Sequence, residues 1–125
     1  MFQAPALIVT AGGALGALAR YGVGVLALRM NESGLPIGTW TVNLAGSFLI
    51  GLAVPLLVGK GELHRLALVV GFLGSFTTFS TFSLDTLALW ESGRPGWAAL
   101  NAAGSVVLGL ACAALGLWVG RTLSA

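Results

Sequence analysis

The chain has 125 residues, of which 57% are apolar and only 8% are charged, and its formal net charge is +2. A soluble domain has about 45–50% apolar and about 25% charged residues, so this composition excludes a soluble globular domain and a disordered chain. It also excludes a nucleic-acid-binding module, and the single cysteine excludes a disulfide scaffold.

Four apolar stretches are long enough to cross a bilayer, whose core is about 30 Å thick and needs roughly 20 helical residues. The predicted spans cover residues 4–28, 38–59, 66–90 and 96–120. The polar links between them cover residues 29–37, 60–65 and 91–95. No Lys or Arg precedes Arg20, so the first span lacks the basic region of a cleaved signal peptide. We predict an all-α, multi-pass membrane protein with one domain, residues 1–125.

Glycine pairs in the first and last spans are spaced for helix packing. Gly12 and Gly16, and likewise Gly116 and Gly120, are four residues apart. Small residues mark contact faces in membranes, because helices associate there through close packing. We interpret both pairs as packing sites. Four helices make a thin bundle with little interior, which favours oligomerisation.

The basic residues are divided almost evenly between the two sides of the membrane. Four spans place both termini and the second link on one side, with Lys60, Arg65 and Arg121. The opposite side carries Arg29 and Arg94, together with Arg20 if its side chain extends to that face. An excess of Lys and Arg normally sets the orientation. Either another signal fixes one orientation, or the chain inserts both ways and the two orientations pair as an inverted dimer.

The second span and the fourth span carry amides. Asn43 lies early in the second span, and Asn101, Ser105 and Gly109 form one stripe along the fourth. Hydrogen bonds between helices are one explanation of the two amides. The other is that neutral donors on facing helices bind a small anion weakly enough to release it.

The third span contains six hydroxyl side chains in residues 75–83, which read SFTTFSTFS. Hydroxyl and β-branched residues after Gly74 form a weak helix, so we predict a break within residues 74–78. Thr78 is the midpoint of the span, which places the break at the bilayer centre. Freed carbonyls there are either buried against protein or line a cation site. In an inverted dimer that site lies on the two-fold axis.

Phe79 and Phe82 lie on one face of the helix that follows this break. Such a row commonly faces lipid or packs in a core. Alternatively, the positive ring edges contact an anion without adding a charge, and Ser80 and Thr81 between them supply hydroxyl donors.

Two ionisable residues lie inside the spans. Arg20 and Asp85 are predicted at similar depth, since their spans run in the same direction. They are expected to pair, or each to extend to the membrane surface.

Three segments together resemble the bacterial fluoride channels of the Fluc (CrcB) family, in the order and at the spacing of that family. Residues 12–21 read GGALGALARY, residues 38–51 read GTWTVNLAGSFLIG, and residues 71–83 read GFLGSFTTFSTFS. The resemblance implies a dual-topology, antiparallel homodimer in the bacterial inner membrane. It further implies two fluoride pores, passive export of fluoride, and a structural sodium ion at the dimer interface.

The resemblance also implies roles for individual residues. The main-chain carbonyls of Gly74 and Thr77 hold sodium, and Arg20 lies in a vestibule. The implied pore residues are Asn43, Phe79, Ser80, Thr81, Phe82 and Ser105. Gly109 departs from the polar track of the family's fourth helix.

Two other functions are alternatives for a four-span protein. A small multidrug exporter is also a four-span inverted dimer, but it needs a carboxylate in the first span, where Arg20 is the one ionisable residue. An assembly subunit without transport activity explains the glycines and leaves the clustered hydroxyls without purpose. One His and one Cys form no catalytic set, so an enzyme is not expected.

Overall fold

The computed structural model describes residues 3–125, and every regular element in that range is helical. The helices are α1 (Gln3–Met30), α2 (Ile37–Leu56), α3 (residues 62–76), α4 (Phe79–Glu91) and α5 (Pro95–Ser124). Four segments are long and apolar enough to cross a membrane, with α3 and α4 together forming the third. This confirms the prediction of an all-α protein with four spans.

The ends of the helices follow local backbone chemistry. Pro95 starts α5, where its fixed φ suits the first helical turn and its missing N–H has no intrahelical role. The α2 helix ends at Leu56, three residues before the predicted end of the second span. Gly59 has a φ of +77°, a left-handed conformation that cannot continue a helix. The sequence pattern included residues 57–59 in the span because hydropathy does not report the handedness of the backbone.

The third span is the irregular one. In α3 a regular turn at Glu62–Arg65 leads into a π-helical stretch at Leu66–Leu73 and a final turn at Gly74–Phe76. The backbone is then extended at Thr77 and Thr78 before α4 begins. The span is therefore two helices joined by two extended residues.

The helices pack as two main pairs, α1 with α3 and α2 with α5, and α4 lies against α5. Glycine allows backbone contact in both pairs. A Cβ on Gly16 would lie 2.1 Å from the Phe72 carbonyl oxygen, and one on Gly116 would lie 2.0 Å from that of Phe48. Gly12 and Gly120 meet backbone in the same way. The prediction that both pairs are packing sites is confirmed.

The single chain has a small apolar core. Its buried apolar side chains are Val42, Ala53, Leu73, Phe76, Leu89 and Ala98. Many large apolar residues on all five helices are exposed instead. Because so much apolar surface is unstable in water, lipid or other protein must cover it.

Candidate functional site

At the junction between α3 and α4, polar residues of the third span contact the second span. Thr77 has φ and ψ of −87° and 161°, and Thr78 has −152° and 122°. Among residues 3–125, none donates a hydrogen bond to the carbonyls of residues 74–77. The last turn of α3 therefore presents four free carbonyls, as a helix end does when nothing caps it.

The Asn43 side chain forms hydrogen bonds with the backbone at this junction. Its Nδ2 donates to the Thr78 carbonyl at 2.8 Å, and the Thr78 N–H donates to its Oδ1 at 2.8 Å. The amide thus satisfies both main-chain polar groups of the residue that leaves the helix. An amide nitrogen has two hydrogens, so one remains available beyond this bridge.

Thr78 also begins α4. Its Oγ1 accepts from the Thr81 N–H at 3.1 Å, the usual geometry of a threonine N-cap. The same oxygen lies 3.1 Å from Thr81 Oγ1 and 3.3 Å from Ser80 Oγ. Two residues predicted as pore hydroxyls therefore cluster at the positive end of a helix. The capping role of Thr78 was not predicted, although a threonine at the end of the predicted break and three residues before Thr81 is a capping signal.

Phe79 and Phe82 are neighbours at the start of α4. Their ring centroids are 5.5 Å apart and the ring planes are tilted by 44°. Phe79 is 77% exposed in the single chain, whereas Phe82 is half-buried. The Phe79 ring thus projects out of the single chain and is free to contact another molecule.

Several of the predicted residues line an open groove of about 290 Å³. Asn43, Gly74, Thr77 and Phe79 line it, together with Thr78. Two of the four residues with free carbonyls, Gly74 and Thr77, therefore border the same groove as the Asn43 amide and one of the two phenylalanines.

A larger cavity of about 910 Å³ also borders the junction, since Thr78 lines it as well as the groove. Arg20, Thr39, Thr81 and Asp85 are among its lining residues. The expected ion pair between Arg20 and Asp85 is not formed. Asp85 Oδ2 instead accepts from Thr39 Oγ1 at 2.6 Å, and the ion pair within residues 3–125 joins Arg65 and Glu62. Arg20 and Asp85 border the same cavity without forming an ion pair, and the group that binds the carboxylate is the hydroxyl of Thr39 on α2.

Asn101 is the centre of a second polar cluster. Its side chain is almost completely buried, with 1% exposed. Its Oδ1 accepts from the Trp40 indole N–H and from Ser105 Oγ, and its Nδ2 donates to Thr86 Oγ1 at 2.8 Å. Asn43 and Asn101 both make hydrogen bonds between helices, one of the two explanations that the sequence allowed.

The predicted pore residues are thus divided. Asn43 and Phe79 border the groove, Thr81 borders the larger cavity, and Ser105 belongs to the Asn101 cluster. Ser80, Phe82 and Ser105 line neither of the two cavities. Thr39, Trp40 and Thr86 were missed, because single hydroxyls and tryptophans in apolar spans are common and carry no spacing signal.

Comparison with known proteins gives one consistent family. Residues 7–117 match the family model described as CrcB-like protein, Camphor Resistance (CrcB). A protein of Paracoccus denitrificans is 51% identical over 120 residues, which are 95% of this chain and 96% of that protein. One of Thermus thermophilus is 50% identical over 120 residues (94% and 95%), and one of Agrobacterium fabrum 45% over 119 (93% and 95%). Each relative is named fluoride-specific ion channel FluC.

Proposed function

The chain belongs to the CrcB family, and on that premise we propose that it is a fluoride-specific ion channel through which fluoride leaves the cytoplasm passively. The observation that carries the proposal is the 51% identity to a protein of that name over 95% of the chain. The neutral donors around the helix junction supply the chemistry. The family match also confirms the resemblance to the Fluc (CrcB) channels that the three sequence segments indicated.

Two more general predictions, on membrane location and on enzymatic activity, are confirmed by the same findings. Four helices that can span a membrane, in a family of channels, make the chain a multi-pass bacterial membrane protein. The family is one of ion channels, so the expectation that the protein is not an enzyme is confirmed as well.

Selectivity is assigned to uncharged groups. Fluoride is small and strongly hydrated, so it crosses a dry pore only where donors replace its water. We assign this task to the free Nδ2 hydrogen of Asn43, the ring edges of Phe79 and Phe82, and the hydroxyls of Ser80 and Thr81. Partial charges bind the ion weakly enough for release. Ser105, whose hydroxyl donates to Asn101, is assigned to the wall of the pore.

The proposed assembly is an antiparallel homodimer with two pores. Three features support it: the apolar surface of the single chain, the outward Phe79 ring, and the balanced distribution of Lys and Arg. The groove is open in one protomer, so a second copy completes it. Accessible terminal tags on both sides of the membrane are expected, and tags on one side alone would refute the inverted dimer.

Sodium is the proposed structural ion. The carbonyls of Gly74 and Thr77 fit it, since they are free of donors and carbonyl oxygen suits hard cations. Residues 3–125, which the structure describes, contain no cluster of three His, Cys, Asp or Glu side chains, the usual ligands of transition metals. When bound there, sodium would supply a positive charge that offsets the negative ends of the Gly74 and Thr77 carbonyl dipoles.

The larger cavity is the proposed vestibule. Arg20 raises the local concentration of anions there, because a cation in a low-dielectric wall attracts them over several ångströms. Asp85, held by Thr39, offsets part of that charge. Fluoride enters the cell as the neutral acid from acidic surroundings, ionises in the cytoplasm, and then leaves by this route.

Fluoride efflux from liposomes, followed with a fluoride electrode, tests the function. Vesicles that contain the purified protein and a potassium gradient should release fluoride within seconds to minutes after valinomycin is added, and chloride far more slowly. An exporter would require a proton gradient, and an assembly subunit would release neither ion. Absence of fluoride efflux from folded protein would refute the channel.

A further inference from the structure

We propose that Arg94 is a second fluoride-attracting cation of the vestibule, held at its surface opening by the first link and by Trp97. Arg20 lines the same cavity from α1. The inference deepens the proposed channel function and rests on it for the identity of the anion. The positive potential itself is a property of the fold, and it can be measured without transport.

The vestibule runs from the middle of the third span to the polar links. Thr81, Asp85, Ala88 and Ser92 line it, and their spacing of three or four residues places them on one face of α4 and its last turn. From Thr81 to Ser92 a helix rises about 16 Å, roughly half of a bilayer core that is about 30 Å thick. Thr81 is one of the proposed pore hydroxyls. An anion that enters beside Ser92 therefore follows this face to the pore.

Residues of the first and third links surround the outer end of the vestibule. Asn31, Gly34 and Leu35 line it from the first link, and Ser92 and Arg94 line it from the third. Gly34 and Ser92 are exposed, whereas Arg94 is half-buried. The vestibule therefore opens where the two links reach the surface, and the Arg94 side chain lies at that opening.

The Arg94 guanidinium has a fixed position at this opening. Its Nη1 donates to the Ser33 carbonyl at 3.0 Å, and its Cζ lies 5.9 Å from the centroid of the Trp97 ring, a cation–π distance. Asn31 orders the first link in turn, because its Nδ2 donates to the Leu35 carbonyl and its Oδ1 accepts from the Ser33 N–H. A guanidinium has five N–H donors. The bond to Ser33 uses one of them, so others remain for an anion.

The charge of Arg94 is not neutralised by a neighbouring acid. Glu32 and Glu91 are the acidic residues of the two links, and within residues 3–125 neither forms an ion pair with Arg94. Among the residues that line the vestibule, Asp85 is the one carboxylate, and Arg20 and Arg94 are the cations. The wall therefore carries a net positive charge, which raises the local concentration of anions.

A purely structural staple between the two links is the competing explanation. The contacts of Arg94 with Ser33 and Trp97 would serve that role as well. The two roles differ in what they require, because a staple needs the planar donor geometry of the guanidinium, whereas attraction needs only a positive charge at the opening. A positive group of another shape therefore distinguishes them.

The first test measures the potential at the opening in detergent-solubilised protein. Cys112→Ser removes the one cysteine of the chain, and Ser92→Cys then places a thiol at the opening. Anionic and cationic methanethiosulfonates of similar size label this thiol. At about 0.01 M salt, adding Arg94→Gln should lower the ratio of the anionic to the cationic labelling rate by about threefold, and at about 1 M salt the effect should nearly vanish.

Leu123→Cys is the matched control for this measurement. It is an exposed position at the other end of α5, so Arg94→Gln should leave its labelling ratio unchanged. An Arg94→Gln substitution that leaves the ratio at Ser92→Cys unchanged at low salt would overturn the proposal, whatever the fluoride flux.

The second test varies the charge in the fluoride assay. Arg94→Cys in the Cys112→Ser background is modified before reconstitution with a trimethylammonium or a sulfonate methanethiosulfonate. The positive adduct should release fluoride within about twofold of the parent rate, and the negative adduct should be about fivefold slower than the positive one at low ionic strength. Equal efflux through the two adducts would overturn the proposal in favour of the staple. A charge-dependent labelling ratio in folded protein that passes no fluoride would refute the channel and retain the cation at the opening.

Discussion

The side-chain amide of Asn43 provides Thr78 with both hydrogen bonds that the backbone loses where the third span leaves the helix. The two bonds are 2.8 Å each. In hydrocarbon an unpaired N–H or carbonyl costs several kcal/mol. One residue of α2 therefore satisfies the backbone of Thr78 at the interruption, and it also borders the groove beside it.

Asn43→Asp should nearly abolish fluoride efflux. The substitution removes the donor to the Thr78 carbonyl and adds a negative charge beside the proposed path, so a buried carbonyl is left unsatisfied at about 1–3 kcal/mol. We expect a loss of at least about 30-fold in liposome flux. Thr122→Asp is the control, since Thr122 Oγ1 also donates to a backbone carbonyl but lies near the end of α5 and lines neither cavity, and its flux should match the parent's. Normal flux in Asn43→Asp would remove this residue from the pore.

Phe79→Ile should lower fluoride efflux by about tenfold or more while the protein remains folded. Isoleucine keeps the apolar volume and lacks the positive ring edge, and the Phe79 ring contributes little to the core because it is exposed. Phe72→Ile provides the comparison. Phe72 stacks on Phe76, with ring centroids 5.7 Å apart, so its loss should affect thermal stability more than selectivity. If Phe79→Ile left fluoride efflux unchanged and lowered thermal stability instead, the Phe79 ring would be assigned to lipid contact.

Gly116→Ala should destabilise the protein strongly. Its Cβ would lie 2.0 Å from the Phe48 carbonyl oxygen and 2.9 Å from the Leu52 nitrogen, both in the α2 backbone. Forcing the two helices apart costs about 1–3 kcal/mol or more, which should lower the melting temperature in detergent by several degrees.

Gly104→Ala is the matched control for that substitution, since its Cβ on the same helix would meet only a Leu100 methyl group at 3.8 Å. Its melting temperature should equal or slightly exceed the parent's, because alanine favours helix. Equal melting temperatures for the two variants would contradict the close packing of α2 on α5.

Arg20→Gln should reduce fluoride efflux in a salt-dependent way. If Arg20 concentrates anions at the vestibule, its loss matters most at low ionic strength, where the Debye length is about 30 Å at 0.01 M. We expect a several-fold reduction there and a much smaller one at 1 M inert salt, where that length is about 3 Å. Arg121→Gln, at the end of α5, serves as the control. A loss independent of salt would indicate a structural role.

The sequence determined the all-α class, the number of membrane spans and the faces on which two of the helices pack. Hydropathy alone reports four spans, since a segment of about 20 apolar residues is long enough to cross a bilayer and a helix satisfies its own backbone there. The glycine pairs likewise identified contact faces, because close backbone approach has few other solutions. Six hydroxyls after Gly74 predicted a weak helix in the region where α3 ends.

Only the tertiary structure decided which groups meet. Asp85 is bound by Thr39 and not by Arg20, and the Asn101 amide faces Trp40 and Thr86. Equal depth in the membrane fixes one coordinate of a side chain, whereas a hydrogen bond also requires the rotation of each helix and the identity of its neighbour. Those depend on packing among residues far apart in the chain, which a hydropathy profile does not contain.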